Sequence, residues 1–458
     1  MNIKICTLAA ASSVVVVAMS AAAPPLPHGT TQKVVYISNR HIRLGVDLSL
    51  GGAITCLQRV GGRNMVNSHD WGRQIQMSDY SGPVPYEPDG KKPQPVWAGL
   101  GWNPIQSGDA FGNQSKVVSF SVRRHELTVT CIPMHWPLNN VPAHCTYTST
   151  ISLHANAVTV HCTVALHRQD TTQYAARPQE LPAVYTNGPW YRIFTYSGIH
   201  PFQHGALTRE PSVFMWRSWM ATEHWAALVD KADRGLGIWE PTAVQFSGGF
   251  AGSPGAGGPH DNPTGYLAPN QMEILDHNIV YSYDYTLIVG TVSEIRKYVY
   301  THTPSSLRTP LPAYTFSDNR NHWHYVNAID SGWPVKAHLH IIPQSADPQV
   351  VGPLNLWRAT SGDVLVMRAA FKGSTGVVRL FFRPYSQPHF DTAHSISFPV
   401  TADGRYHTYR IPLRGAPGYA GSMIQLRLDP YVVNPANAWI DLQEVQLINN
   451  GAGDQDTH

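Results

Sequence analysis

Thr146-Tyr147-Thr148-Ser149-Thr150-Ile151-Ser152-Leu153, then the turn residues His154-Ala155-Asn156, then Val158-Thr159-Val160-His161-Cys162-Thr163-Val164-Ala165-Leu166 decide the fold class. Side chains alternate with a period of two and are rich in β-branched residues, which suits a pleated strand with one buried face. Residues 117–122, 127–132 and 279–289 repeat the pattern, each bounded by turn residues such as Gly112-Asn113. Helical periodicity is nearly absent; residues 292–300 are the exception, with Ser293 placed to cap them. The reading is an all-β protein.

The chain of 458 residues opens with Met1-Asn2-Ile3-Lys4, an apolar stretch over 5–19, and Ser20-Ala21-Ala22-Ala23-Pro24. Residues 1–23 therefore read as a secretory signal peptide, too short for a spanning helix, and the mature protein is expected to be secreted or periplasmic. Basic and acidic residues nearly balance, at 33 against 30, with no Lys/Arg block to follow a phosphate backbone. Nucleic acid is thereby disfavoured as a partner, and so is membrane insertion. Cys56, Cys131, Cys145 and Cys162 remain after the signal. In an oxidising compartment an even number suggests one or two disulfides, with Cys131–Cys145 preferred because they bracket the Pro-rich loop 133–142.

The Pro- and Ser/Thr-rich tract 304–313 reads as a linker, dividing a large β domain (24–303) from a smaller β-sandwich (314–448) and a disordered tail (449–458). The glycine-rich stretch 248–258 lacks the Lys of a phosphate-binding loop and reads as a mobile surface loop beside a cleft.

Leu48-Ser49-Leu50-Gly51-Gly52-Ala53-Ile54-Thr55-Cys56-Leu57 is followed by Gly61-Gly62-Arg63-Asn64-Met65-Val66-Asn67. This resembles the opening hairpin of the galactose-mutarotase-like supersandwich, where a Gly-Ala-x-Ile strand turns into a second strand ending in Asn. The resemblance implies a large antiparallel supersandwich whose concave sheet holds a sugar, as in sugar epimerases, several polysaccharide lyases and certain glycoside hydrolases. The epimerases' Asn-x-Thr-x-His-x-Tyr segment has no counterpart here, which turns the expectation toward a polymer-processing relative. The C-terminal segment resembles accessory sandwich modules of secreted carbohydrate-active proteins through Asp403-Gly404-Arg405-Tyr406-His407-Thr408-Tyr409 and Leu426-Arg427-Leu428-Asp429-Pro430.

Within that frame two acids stand out, because only 14% of residues are charged and both sit among aromatics: Glu180, and Glu223 between Trp219 and Trp225. Paired carboxyl groups protonate a glycosidic oxygen and activate water or attack carbon, at separations of about 5–5.5 Å for retention and 6.5–9.5 Å for inversion. Glu180 and Glu223 are thus the candidate catalytic pair of a glycoside hydrolase acting on an oligo- or polysaccharide, with Asp70 and Glu240 in reserve. The alternative use of both acids is structural, tied to Arg192, Arg217 or backbone amides. Asp70, Arg73, Gln76, Tyr185, Trp190, Tyr196, Trp216, Trp219 and His224 are candidate substrate contacts; an Asp70–Arg73 ion pair holding a loop is the competing use of those two. A lyase would instead need a positive group for a uronate and a Tyr or His base, drawn from Arg73, Arg192, His200, Tyr196 and His135. A non-catalytic glycan-binding protein is the third reading. No cofactor is required, although Asp70, Asp79 and Asp261-Asn262 could supply oxygen ligands to calcium. His322-x-His324 and His338-x-His340 each set two imidazoles on one strand face.

Overall fold

The computed structural model describes residues 33–449, apart from 213–214 and 433–434. The expected signal peptide and all but the first residue of the expected tail lie outside the described residues. Asn449 ends the strand Trp439–Asn449.

The opening segment folds as its alternation dictates. Cys145–His154 and Ala157–Leu166 form an antiparallel pair with Val160 opposite Ile151, and Val280–Thr291 pairs on the other side with Tyr285 opposite Val160. Val158, Val160, Cys162, Val164 and Leu166 are buried, while Thr159, His161 and Thr163 face outward. These strands lie in a nine-stranded sheet ordered Thr208–Glu210, Arg192–Thr195, Trp225–Val229, Arg234–Trp239, Val280–Thr291, Ala157–Leu166, Cys145–His154, Glu126–Ile132 and Lys116–Arg123.

Against it packs a ten-stranded sheet ordered Val34–Ser38, Ile42–Asp47, Ala53–Arg59, Ile75–Ser78, Arg177–Asn187, Thr264–Glu273, Gln245–Ala251 and Arg217–Met220, with Pro104–Ile105 and Met134–His135 beside the Ile75–Ser78 edge. Leu44, Ile75, Met77, Leu181, Val184, Phe246 and Leu267 meet Val129, Tyr147, Ile151, Val160 and Leu287 in one continuous core. Two large antiparallel sheets sharing one core make the supersandwich. In its opening hairpin Gly51 and Gly52 take positive φ, and a Cβ on Gly51 would lie 1.8 Å from the Gln106 carbonyl oxygen, so this turn admits only glycine there. Asn64 closes the following turn, accepting from the Leu57 amide at 3.0 Å and donating to the Thr55 carbonyl at 2.8 Å.

The helix runs Val292–His302 and is capped by Thr291 in a reciprocal capping box with Glu294, two residues before the Ser293 expected from sequence. Val292, Ile295 and Val299 pack on the outer side of the nine-stranded sheet with Trp225, Ala227 and Ile288.

Two six-stranded sheets form the second sandwich. One is ordered Ala328–Asp330, Leu339–Pro343, Trp439–Asn449, Asp363–Lys372 and His407–Pro412, with Ala313–Thr315 added to Trp439–Asn449; the other is ordered His324–Val326, Gln349–Val351, Ser422–Val432, Ser374–Pro384 and Ser395–Pro399, with Trp357–Arg358 added to Ser422–Val432. Trp323, Phe371, Leu380, Phe382, Met423 and Val445 fill its core. Arg427 pairs with Asp429 at 2.7 Å within one strand.

The two sandwiches are joined by a buried charge cluster. Arg320 donates to Asp330 at 2.6 and 2.7 Å and to Asp276 of the first sandwich at 2.6 Å, and Gln173 bridges the same two acids at 2.9 and 2.7 Å. Residues 304–313 include a 3-10 turn at Ser305–Leu307, and the Leu447 amide donates to the Pro312 carbonyl at 2.7 Å.

The cysteine expectation is corrected. Cys56, Cys131, Cys145 and Cys162 are buried free thiols. Cys131 lies opposite Tyr147, which places Cys145 diagonally across the ladder rather than opposite. Diagonal neighbours are about 7–8 Å apart, beyond the usual 4.4–6.8 Å Cα separation of a disulfide.

Candidate functional site

Glu180 lies on Arg177–Asn187, in the middle of the ten-stranded sheet, opposite Asn270 on one side and Ser78 on the other. Register breaks between Glu180 and Val184 on the first side and between Glu180 and Ala183 on the second. Strict alternation would send Glu180 and Tyr185, five residues apart, to opposite faces; the bulge puts them on one. There Tyr185 packs on Tyr266, ring centroids 4.9 Å apart, and Tyr266 donates its hydroxyl to Oε1 of Glu180. Tyr80 donates to Oε2 at 3.0 Å and receives a hydrogen bond from Ser78 at 3.1 Å.

A polar row continues from the carboxyl group across the outer face. Asn270 accepts from Ser247 at 2.5 Å, and Ser247 contacts Ser218 at 3.0 Å. Ala183 and Ala268 pack with Tyr266, Tyr185 and Met215 in a small apolar cluster beside the carboxyl group. Trp216, at positive φ and 38% exposed, stands edge-on to Tyr266 at 6.5 Å. Burial raises the pKa of Glu180, and the hydroxyls of Tyr266, Ser78 and Tyr80 oppose the rise by stabilising the carboxylate. The chemistry available is proton exchange from a desolvated carboxyl group in an aromatic, hydroxyl-lined setting.

One rim is built by residues 67–73 and by residues 260–262 just after the glycine-rich stretch, whose first four residues belong to the strand Gln245–Ala251 and whose Gly255 amide donates to the Gly188 carbonyl at 2.8 Å. Asn67 donates to the Asp261 carbonyl at 3.0 Å, the His69 ring contacts the His260 carbonyl at 2.9 Å, and Arg73 donates to Asn262 at 2.6 and 3.0 Å. Arg73 also pairs with Asp70 at 2.9 Å, so the loop-holding use of these residues is realised. Asp70 and Glu180 both act on the Tyr185 hydroxyl, whose pKa is raised, by burial foremost.

Glu223 is elsewhere. It is fully buried between the strand Trp225–Val229 and the helix, where Arg296 donates at 3.0 and 2.8 Å, Tyr300 at 2.7 Å, the Trp225 indole at 3.0 Å and the Phe202 amide at 3.0 Å. It shares no partner with Glu180 and lies in the turn that leads from Arg217–Met220 of the ten-stranded sheet into Trp225–Val229 of the nine-stranded sheet. The expected Glu180–Glu223 pair is therefore not assembled, because Glu223 is committed to docking the helix.

The remaining candidates divide the same way. Tyr185, Trp216, Asp70 and Arg73 gather around Glu180 or its rim. Gln76 is buried as a strut, donating to the Trp71 carbonyl at 2.9 Å and accepting from the Ser107 amide at 3.1 Å. Trp190 and Trp219 belong to the core between the sheets. Tyr196 donates to the His200 carbonyl at 2.9 Å, and His224, its pKa lowered to about 4 by burial, contacts the Ala243 carbonyl at 3.1 Å beside Glu223. Of the groups weighed for a lyase, Arg192 is paired with Asp233, and His135 is buried with its pKa lowered to about 3 by desolvation. Glu240 is saturated by Thr242 and Ala243. Of the residues weighed as calcium ligands, Asp79 is buried near Tyr147, whereas Asp70 and Asn262 both meet the Arg73 guanidinium. Tyr266, Ser247 and Asn270 were not among the candidates; the alternation Tyr266-x-Ala268-x-Asn270, polar residues on the outer face of a strand, is the signal that marks two of them.

No protein-family model matches the chain, and no curated protein sequence matches it. Among solved structures it is similar to a putative aldose 1-epimerase from Escherichia coli K12, with a TM-score of 0.37 and 13% identity over 57% of this chain and 100% of that one. It is similar also to a galactose mutarotase related enzyme from Lactobacillus acidophilus (TM-score 0.33, 9% identity, 56% and 97% covered) and to 4-alpha-glucanotransferase from Thermococcus litoralis (0.31, 10%, 57% and 38%).

Proposed function

We propose that the protein is an exported carbohydrate-active enzyme, a glycoside hydrolase that cleaves an oligo- or polysaccharide on the outer face of the ten-stranded sheet. The observation that carries this reading is the Glu180 carboxyl group, desolvated and held by Tyr80 and Tyr266 on a face lined by Tyr185 and Trp216. Burial favours the protonated form of Glu180 over that of a free glutamate, the direction a general acid needs, while aromatic faces stack on pyranose rings and the Ser218–Ser247–Asn270 row meets hydroxyls. Glu180 gives its proton to the glycosidic oxygen as the bond to the anomeric carbon breaks. Asp70, on the rim, is the second carboxylate, directing water or attacking the carbon once Arg73 releases it.

A second reading has its own support: both Glu180 oxygens already accept phenolic hydrogen bonds, which suits a non-catalytic glycan-binding face. The test is product release from a panel of neutral and acidic polysaccharides, read by new reducing ends and by ultraviolet absorbance, for wild type and Glu180→Gln. Saturated reducing ends that vanish in Glu180→Gln with folding intact support the hydrolase. Unsaturated ends would replace it with a lyase, and glycan retention without any product would replace it with the binding protein.

A further inference from the structure

The second sandwich carries a group of side chains that the proposed sugar chemistry does not use. His340 on Leu339–Pro343 stands directly opposite Asp441 on Trp439–Asn449, and His338 lies two residues before His340 on the same face. Asp441 Oδ1 is 2.6 Å from Nδ1 of His340 and 3.6 Å from Nε2 of His338. A ligand atom from each of the three residues falls within 4.8 Å of the others, the one such group found among the described residues.

From this convergence we propose that His338, His340 and Asp441 bind one divalent first-row transition ion of the zinc type. Tetrahedral coordination at 2.0–2.1 Å from each ligand sets ligand atoms about 3.3 Å apart, a value bracketed by the 2.6 and 3.6 Å separations seen here. Two imidazoles and one carboxylate favour zinc, copper or nickel over calcium or magnesium, which take oxygen sets. The ligands sit on paired strands, and their rings are braced. Trp439 packs on His340 with centroids 5.8 Å apart, and Tyr406 meets His338 edge-on at 6.1 Å. All three are partly exposed, so an ion can enter from solvent and keep an outward position for water or another exogenous donor. A mere Asp441–His340 hydrogen bond would account for one imidazole; the second, His338, brought to the same carboxylate oxygen with its ring turned 74° from its neighbour, is what the ion accounts for.

The test uses the full chain stripped of metal by chelator dialysis and titrated with Zn²⁺ by calorimetry, then loaded with Cu²⁺ for electron paramagnetic resonance. One Zn²⁺ per chain is expected. Since outer-shell changes cost about 10–100-fold in affinity, loss of a direct ligand in His338→Gln, His340→Gln or Asp441→Asn is expected to cost at least as much. The Cu²⁺ spectrum is expected to show two coupled nitrogens in wild type and one in either single histidine variant. Circular dichroism confirms that each surface variant is folded. Absence of Zn²⁺ binding, binding unchanged in the His338→Gln/His340→Gln double variant, or preference for Ca²⁺ over Zn²⁺ would each overturn the proposal.

Discussion

Tyr80 donates its phenolic hydroxyl to Oε2 of Glu180 at 3.0 Å, while Tyr266 serves the other oxygen. A hydrogen bond to the charged form lowers a carboxyl pKa, so both tyrosines restrain the rise that burial imposes. Tyr80→Phe is expected to raise the pKa of Glu180 further. In a pH profile of activity the limb belonging to the protonated acid moves upward by roughly one unit, and stability falls by about 1 kcal/mol for the lost bond. Titration of the carboxyl carbon by NMR checks the same shift without substrate. A pKa that stays or falls in Tyr80→Phe would contradict this arrangement.

Glu223 tests the opposite kind of acid. Five donors converge on it, and removing the carboxylate strands the Arg296 guanidinium against Tyr196 and Tyr300. Breaking a buried pair by deleting one partner costs about 3–5 kcal/mol. Glu223→Ala is expected to lower the midpoint of thermal unfolding strongly, whereas Glu180→Gln, which keeps an acceptor for one tyrosine, lowers it little. Calorimetry on the two variants side by side decides it; equal destabilisation would place both acids in structural roles.

The difference between these two glutamates marks where the sequence stops being legible. Alternation in residues 146–166 shows strand, partner and buried face, because each follows from a period of two between neighbouring segments. Aromatic residues flank Glu180 and Glu223 alike, so local composition cannot tell a site from a strut. What separates them is non-local: the bulge at 180–184 that turns Glu180 to the face of Tyr185, and Arg296, seventy-three positions from Glu223, on the helix that Glu223 docks. Tyr266 was missed for the same reason, since its relation to Glu180 exists only through strand pairing eighty-six positions apart.

The four cysteines give a prediction about compartment chemistry. Cys131, Cys145 and Cys162 are fully buried and Cys56 is largely so, and burial raises the pKa of each thiol. High thiol pKa and lack of access both suppress reaction with disulfide reagents. The folded protein is expected to react negligibly with a thiol-exchange reagent, and all four are expected to react once denatured without reductant. Failure to recover them after denaturation would show that they are oxidised.

Asp79 sets a pH dependence of stability with a definite sign. Its side chain is buried in the supersandwich core with neither carboxyl oxygen hydrogen-bonded, beside the Tyr147 hydroxyl, which donates to the Pro104 carbonyl at 3.1 Å and partly opposes the effect of burial. Desolvation raises its pKa to about 7 from an ordinary value of 3.8. Between those values the folded state holds a proton that the unfolded state has released, so the stabilisation is complete below about pH 4 and is lost as pH rises through 7. Glu240, raised to about 7, acts in the same direction, whereas His135, lowered to about 3, makes stability rise with pH up to about 6.5. Asp79→Asn isolates one contribution from this mixture. Relative to wild type, the variant is expected to gain stability progressively from pH 4 to 7 and to level off above, by a few kcal/mol at most, since each pKa unit corresponds to about 1.4 kcal/mol. Chemical denaturation of both proteins across that range measures the difference directly; a difference that is flat with pH, or that shrinks as pH rises, would mean that Asp79 is ionised in the folded core.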